Sequence, residues 1–293
     1  MLRQSSAALL ATVGLLLSAE AVAAPPNRIT VLYDAFGDHS ALKKDWGFST
    51  LVEFGGKRIL FDTGNDADLF EHNVKSLGVD LKAIDLVVIS HRHGDHTSGL
   101  ARVLKANPGV PVYVPADETF MTSTPVQMYH RGAEALPKRM RYFDGETPVN
   151  VPHGTAWKGA NLIPVDASRE ILPGISVVAT TSKVPRTIEM PELSLSLKVP
   201  EGQILVVGCS HTGIEAILEK AAGRPIQILV GGLHLVTTPD PEIERLATSL
   251  RDKWKVASVA VGHCTSEPGF AALQRAYGER YIYAGLGTVV PLP

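Results

Sequence analysis

Short apolar runs recur along the chain and alternate with segments whose apolar residues have helical spacing. Runs rich in Val, Ile and Leu are typical of buried strands. They occur at residues 28–34, 49–54, 58–62, 85–90, 110–114, 175–180, 193–199, 204–208, 226–231, 257–261 and 281–284. Helical segments, many with Pro or Gly at their ends, are predicted at residues 66–77, 99–106, 214–222, 241–253 and 269–277. This alternation predicts an α/β protein.

Some neighbouring strands are joined by short turns that contain glycine. Gly55-Gly56 separates the predicted strands at 49–54 and 58–62, and Glu201-Gly202 separates those at 193–199 and 204–208. Strands joined by such hairpins pair in antiparallel fashion, which disfavours a purely parallel sheet. We therefore predict two mixed sheets with helices on the outside.

Residues 115–152 show no clear strand or helix pattern. Connections of this length without regular structure are usually lids or binding loops. This one carries basic residues among Met, Tyr and Phe side chains: His130, Arg131, Lys138, Arg139 and Arg141. The two interpretations are a lid over an active site and a solvated surface excursion.

The first 23 residues differ from the rest of the chain. Arg3 is followed by an apolar run over residues 7–17 and by Ala21-Val22-Ala23, a small-residue cleavage pattern. These features predict a secretory signal peptide at residues 1–23, followed by a single mature domain at residues 24–293. The alternative is a membrane anchor, but the apolar run is shorter than the ~20 residues that a spanning helix needs. We expect a periplasmic or secreted protein with no stable membrane anchor after cleavage.

Composition limits the classes of partner. Hydrophobic residues make up 45% of the 293 residues, which is typical of a globular chain with a full core. The formal net charge is −2, so the protein has no general attraction for nucleic acid or for an anionic membrane. We expect a small-molecule substrate, and if it is anionic it must be bound by local groups.

The strongest chemical pattern follows the predicted strand at 85–90. Within six positions the chain presents four metal-ligating side chains: His91, His93, Asp95 and His96. Ionisable groups crowded at the end of a buried strand need partners, and a divalent metal ion supplies one. Imidazole and carboxylate ligands favour zinc, although manganese and iron accept the same set.

This run resembles the diagnostic motif of the metallo-β-lactamase superfamily. Phe61-Asp62-Thr63-Gly64 resembles its strand-end aspartate motif, and Gly262-His263 resembles its final metal-binding histidine. The resemblance implies an αβ/βα sandwich with a site for two divalent metal ions along one edge. Further runs resemble the branch named after dihydropterin-aminobenzene phosphate synthase: Gly208-Cys209-Ser210-His211, Gly231-Gly232-Leu233-His234-Leu235 and Gly262-His263-Cys264-Thr265.

The chain departs from the family pattern at Cys209, which stands where most members have a bridging aspartate. A thiolate there can bind zinc, or Cys209 can form a disulfide with Cys264 in an oxidising compartment. No histidine lies near Thr180-Thr181, where many members have a third ligand for the first metal, and His211 is the available substitute. The implied ligands are His91, His93 and His211 for one metal and Asp95, His96 and His263 for the other, with Cys209 near both.

Four other residues have two interpretations each. His234 is a substrate ligand or proton donor, or a hydrogen-bonded structural histidine. Asp62 orients a metal-binding histidine from behind, or is a turn residue before Gly64. Arg186 and Lys183 bind an anionic substrate, or are ordinary surface residues.

The leading functional hypothesis is an exported metal-dependent hydrolase. The family implies a metal-bound hydroxide that attacks an ester, lactone, amide or phosphoester, with Asp95 orienting it. One alternative is a non-hydrolytic transferase or synthase that acts on a pterin-like or phosphorylated compound. The other is a non-catalytic protein that binds a metal or ligand.

Overall fold

The structure is a computed structural model that describes residues 26–120, 123–125, 135, 137–141, 145–146, 149–152, 157–183 and 189–293. These residues form fifteen strands: β1 Arg28–Tyr33, β2 Ser49–Phe54, β3 Lys57–Phe61, β4 Leu86–Val88, β5 Pro111–Pro115, β6 Ser123–Pro125, β7 Asn150–Pro152, β8 Asn161–Val165, β9 Arg169–Leu172, β10 Ile175–Ser182, β11 Met190–Val199, β12 Gly202–Val207, β13 Ile226–Gly231, β14 Ser258–Val261 and β15 Val289–Pro291.

The described residues also form six α-helices: α1 Ala67–Ser76, α2 Gly94–Thr97, α3 Leu100–Ala106, α4 Ile214–Lys220, α5 Asp240–Asp252 and α6 Glu267–Tyr277. The carboxylate of Asp66 caps α1 by accepting hydrogen bonds from the backbone N–H groups of Asp68 and Leu69. Among the residues that the structure describes, no helix is long and apolar enough to cross a membrane.

The strands form two mixed sheets. The seven-stranded sheet has the order β15-β1-β2-β3-β4-β5-β8, and the six-stranded sheet has the order β14-β13-β12-β11-β10-β9. Hairpin neighbours β2–β3 and β11–β12 pair in antiparallel fashion, whereas β3–β4–β5 and β12–β13–β14 run parallel. The predicted mixture of hairpins and parallel units is confirmed.

Three buried clusters show how the layers pack. Alternate residues of each sheet point inward, as Phe61 and Val206 do, and form the core between the sheets. The other residues of the same strands point outward. Leu60 packs with Phe70 of α1, and Val207 packs with Ile217 of α4. The result is the predicted αβ/βα sandwich with helices on both outer faces.

Some predicted elements were wrong in detail. Residues 281–284 do not form a strand; Tyr281 makes a single bridge to Val259, and the chain pairs with β1 later, at β15. Strands β8 and β9 were not predicted, because their residues include polar and charged side chains that break the apolar pattern. A one-turn helix, α2, lies inside the histidine motif, before the helix predicted at residues 99–106.

Other predictions lie wholly or partly outside the described residues. The proposed signal peptide at 1–23 is one of them, and Arg186 is another. The segment 115–152 is described in part, and there β6 and β7 pair in antiparallel fashion, so the expectation that it holds no regular element was wrong. Its role as a lid stays a prediction.

The parallel strands place their carboxyl ends at one edge of each sheet. In the seven-stranded sheet, Asp62 follows β3 and the histidine motif follows β4. In the six-stranded sheet, Cys209, Gly232 and His263 follow β12, β13 and β14. Because the two sheets face each other, these five strand ends bring the chemically active residues of distant segments to the same edge of the sandwich.

Asn73 is a buried polar side chain that fixes the loop after β1. Its amide donates hydrogen bonds to the carbonyls of Leu32 and Lys43, and its oxygen accepts one from the Lys43 N–H. We expect Asn73→Ala to lower the free energy of unfolding by about 2 kcal/mol, because three backbone groups lose the hydrogen bonds that this buried amide makes. Urea denaturation measures this change. The exposed Asn161→Ala should change it by less than ~0.5 kcal/mol, and an equal effect of the two would contradict the assignment.

Candidate metal centre

Nine ligating side chains meet at this edge. They form four overlapping groups in which the ligand atoms lie within 4.8 Å of one another. The groups are His91, His93 and His211; Asp95, His96 and His263; His91, His96 and Cys209; and Cys209, His234 and Cys264. The structure therefore brings together both of the ligand sets that the family resemblance implies, and it places Cys209 between them.

The first set is built from three imidazoles. Nε2 of His91 lies 3.2 Å from Nδ1 of His93, and the ring centroid of His211 lies 4.8 Å from each of those two rings. Nδ1 of His91 lies 2.9 Å from Oγ of Ser90, whose own proton is directed at Asp62. Because Ser90 therefore accepts from Nδ1, the lone pair of His91 Nε2 points into the set.

The second set combines a carboxylate with two imidazoles. Oδ2 of Asp95 lies 3.4 Å from Nε2 of His263 and 3.7 Å from Nε2 of His96. The two imidazole Nε2 atoms are 3.2 Å apart, and Sγ of Cys209 lies 3.2 Å from the same nitrogen of His96. A cation among these atoms would have mixed nitrogen, oxygen and sulfur ligands, which suits zinc.

Asp62 supports both sets from behind. Its carboxylate accepts hydrogen bonds from the N–H of Ser90 at 2.7 Å, from Oγ of Ser90 at 2.7 Å and from Nδ1 of His96 at 2.7 Å. The last bond leaves the lone pair of His96 on Nε2, directed at Cys209 and His263. This is the geometry that the predicted orienting role requires.

Two further buried carboxylates hold ligand-bearing loops, and no sequence pattern predicted either role. Asp34 accepts hydrogen bonds from the N–H of His263 at 3.0 and 3.2 Å to its two oxygens. Glu192 accepts them from the N–H groups of His211 and Thr212 at 3.1 and 3.2 Å. Asp34 follows β1 and Glu192 lies within β11, and neither belongs to a motif, so only their positions in space reveal the role.

The backbone is strained at this edge. Six non-glycine residues of the described chain have positive φ, and four of them lie here: Asp62, Ser210, His234 and His263, with φ between 49° and 63°. Such conformations cost of order 1 kcal/mol each and persist where surrounding contacts impose them. These four residues lie beyond the ends of β3, β12, β13 and β14, where the cluster forms.

Burial lowers the pKa of two imidazoles in the first set. Burial lowers the pKa of His91 well below its usual value, and the neighbouring imidazoles lower it further. Burial, together with His234 and His93, lowers the pKa of His211 to about 3. Burial opposes ionisation of Asp95, but hydrogen bonding from His263 and the nearby His96 hold its pKa well below the usual range. At neutral pH His91 and His211 are therefore neutral imidazoles and Asp95 is an ionised carboxylate, the forms that bind metal.

Unpaired buried atoms support the fit to a metal ion. Among the described residues, Nε2 of His211 and Nδ1 of His234 are enclosed and have no hydrogen-bond partner. Buried polar atoms normally have partners, and a cation held by these nitrogens would provide one. The two cysteines are free thiols in the structure. It therefore does not contain the disulfide between Cys209 and Cys264 that was the alternative prediction.

Lys183, one of the two basic residues proposed for anion binding, is not part of the cluster, and the other, Arg186, lies outside the described residues. Lys183 is exposed and lies 3.5 Å from the carboxylate of Glu189. Arg92, within the histidine motif, donates a hydrogen bond to Asp117 at 2.6 Å and to the carbonyl of Glu189 at 2.9 Å. Arg92 thus connects the histidine motif to the segments that contain Asp117 and Glu189. Its position between two histidines in the sequence did not indicate this role.

Comparison with known proteins identifies the family. The model of the metallo-beta-lactamase superfamily matches residues 46–257. The chain belongs to this superfamily. It is 28% identical over 265 residues to the 7,8-dihydropterin-6-methyl-4-(β-D-ribofuranosyl)-aminobenzene-5'-phosphate synthase of Methanocaldococcus jannaschii, covering 83% of this chain and 87% of that protein. The predicted superfamily is confirmed, and so is the predicted resemblance to the branch named after that synthase.

Solved structures of the superfamily have the same fold. Tm1679, described as a metal-dependent hydrolase of the β-lactamase superfamily, superposes with a TM-score of 0.67 and 26% identity over 91% of this chain and 99% of its own. A diphosphatase from the PhnP family superposes with a TM-score of 0.54 and 18% identity, covering 91% of this chain and 98% of its own. As a superfamily member, the chain has the fold on which metal-dependent hydrolases are built.

The role of Glu192 can be tested through metal binding. We expect Glu192→Gln to weaken metal binding about tenfold, because the amide presents one acceptor oxygen where the carboxylate presents two to the His211 and Thr212 N–H groups. Isothermal titration of the metal-free protein with zinc measures the affinity. Glu189→Gln is the matched control, since that side chain is 61% exposed. Unchanged affinity in folded Glu192→Gln protein would show that Glu192 does not position His211.

Proposed function

We propose that this protein is an exported metal-dependent hydrolase of a small molecule, acting on an ester, lactone, amide or phosphoester. The observation that carries the proposal is the pair of adjacent ligand sets, one of three imidazoles and one with a carboxylate, that share a single edge. Metal ions held there would polarise a carbonyl or phosphoryl oxygen and acidify a water molecule. Hydrolysis is the reaction that this combination favours.

Asp95 is the residue of the chain best placed to orient the attacking water. Its side chain is 19% exposed, whereas His96 and His263 beside it are enclosed. One carboxylate oxygen faces both of those imidazoles, and the ionised form accepts a hydrogen bond from water. Asp95 would accept a hydrogen bond from the water molecule and so direct a lone pair of the water oxygen at the substrate. Holding the two reactants in this orientation lowers the entropic cost of the reaction.

Trp46 supports a substrate with a planar or apolar part. The side chain is 46% exposed, although large aromatic residues are usually buried, and its ring centroid lies 5.1 Å from that of His263. The loop that carries it packs tightly on the histidine motif, because a Cβ on Gly47 would lie 2.7 Å from the Asp95 carbonyl oxygen. Trp46 therefore offers a fixed aromatic surface beside the ligand sets.

The second candidate is a transferase or synthase that acts on a pterin-like or phosphorylated compound. It is supported by the name of the relative from M. jannaschii, a dihydropterin-aminobenzene phosphate synthase that matches most of this chain, and by the aromatic surface of Trp46, which suits a flat ring. The two candidates differ in the second substrate. A hydrolase turns over with water alone, whereas a transferase needs an added acceptor.

The proposed export rests on the sequence of residues 1–23, which has the three parts of a secretory signal. In a bacterial host, the mature protein would then begin at or near Ala24 in the periplasmic fraction. Mass spectrometry of that fraction identifies the terminus. Retention of Met1 on cytosolic protein would contradict export without affecting the proposed chemistry.

Hydrolysis is tested with a panel of chromogenic esters, lactones, phosphodiesters and cephalosporins, in the presence of zinc or manganese. We expect turnover of one class with water as the only second substrate. His91→Ala should lower that rate by about 100-fold or more, because it removes a residue shared by two ligand groups. The matched control is His39→Ala, an exposed histidine away from the cluster.

Two results would contradict the proposal. One is full turnover by a folded variant with both His91 and His93 replaced by Ala. The other is turnover that starts only when an acceptor other than water is added, which would favour the transferase. For the active class, Trp46→Ala should raise KM more than it lowers kcat for substrates with an aromatic group, and should leave substrates without one unaffected.

A further inference from the structure

Three of the nine ligating side chains form a group that the two predicted metal positions do not explain. Cys209 follows β12, His234 lies beyond β13, and Cys264 lies in the turn after β14. Their ligand atoms lie within 4.8 Å of one another. Only Cys209 is shared with another group, because it also lies 3.2 Å from His96.

Both thiols are enclosed. Cys209 is 3% exposed and Cys264 is 1% exposed. Room for the second thiol depends on Gly232, since a Cβ there would lie 2.7 Å from Sγ of Cys264 and 2.6 Å from the Gly208 carbonyl oxygen. The absence of a side chain at Gly232 therefore creates the space that the Cys264 sulfur occupies.

The polypeptide also supplies a hydrogen bond that suits a thiolate. The N–H of His234 donates to Sγ of Cys264 at 3.2 Å, and the Cys264 thiol itself donates to the Cys209 carbonyl at 3.7 Å until it loses its proton. His234 has a φ of 51°, a strained value for a histidine, and its ring centroid lies 4.1 Å from that of His211. Its Nδ1 is enclosed and has no hydrogen-bond partner in the part of the chain that the structure describes.

We propose that Cys209, Cys264 and His234 form a ligand set of two thiolates and one imidazole for a thiophilic divalent ion such as zinc, cobalt or cadmium. This set is softer than the imidazole and carboxylate sets beside it, so it selects such ions over manganese or magnesium. On binding, each thiol releases its proton to solvent and forms one bond from sulfur to the metal. The proposal makes Cys264 a metal ligand and His234 a ligand rather than a proton donor.

The inference rests on the metal-binding part of the proposed function and does not depend on hydrolysis. The competing arrangement is a disulfide between the same two cysteines, which would require loss of two electrons to an oxidant such as a periplasmic disulfide. A disulfide leaves no thiolate for a metal. A third arrangement, in which Cys209 alone binds metal, leaves Cys264 as a buried thiol without a ligand role.

The test uses cobalt, whose bonds to thiolate give a charge-transfer absorption in the near ultraviolet. The chain has only two cysteines, so this band can arise only from Cys209 and Cys264. We expect the reduced, metal-free protein to develop the band on titration with cobalt. Each single variant, Cys209→Ser and Cys264→Ser, should retain about half of it, because the intensity follows the number of thiolate bonds and a hydroxyl is a poor ligand. The double variant should show none.

Unchanged absorption in folded Cys264→Ser protein would overturn the proposal, as would absence of the band from the wild type. So would a count of no free thiols in denatured, unreduced protein from the periplasm. If Cys264→Ser does not fold, cadmium NMR of the wild type decides the question, because the chemical shift of the bound ion reports its number of thiolate ligands. Two thiolates support the proposal and one contradicts it. None of these measurements requires substrate or turnover.

Discussion

The hydrogen bonds of the buried Asp62 carboxylate are the interaction on which the rest of the site depends. They join the end of β3 to the end of β4 through the N–H and hydroxyl of Ser90, and they fix the ring of His96 through Nδ1. Ser90 in turn accepts a hydrogen bond from His91. One carboxylate thereby determines which nitrogen of His96, and through Ser90 which nitrogen of His91, faces the cluster.

Buried carboxylates also hold the histidine-bearing loops of the six-stranded sheet. Asp34 binds the backbone N–H of His263, and Glu192 binds those of His211 and Thr212. Burial raises the pKa of Asp34 to about 8 and raises that of Glu192, which shows the energetic cost of enclosing these groups. Backbone hydrogen bonds offset part of that cost in each case. The protein thus spends folding stability to hold its histidine loops in fixed, strained conformations.

Much of the fold and part of the site could be predicted from the sequence. The residues of the histidine motif are close together in sequence, so the motif can be recognised without the structure. The apolar runs predict nearly all strands of the core. Asp34, Glu192 and Trp46 could not be found in this way, because each acts on a residue far away in the chain and has no pattern of its own. The strand predicted at residues 281–284 was wrong because an apolar run indicates burial, and burial alone does not provide a neighbouring strand to pair with.

The central claim is that one edge of the sandwich holds metal ions between the ends of strands from both sheets. Crystals of the reduced protein grown with zinc, with data collected on both sides of the zinc absorption edge, test it most directly. The account predicts anomalous peaks among His91, His93 and His211 and among Asp95, His96 and His263, at bonding distances of about 2.0–2.3 Å. Anomalous peaks confined to other surfaces, with this edge empty at saturating zinc, would contradict it.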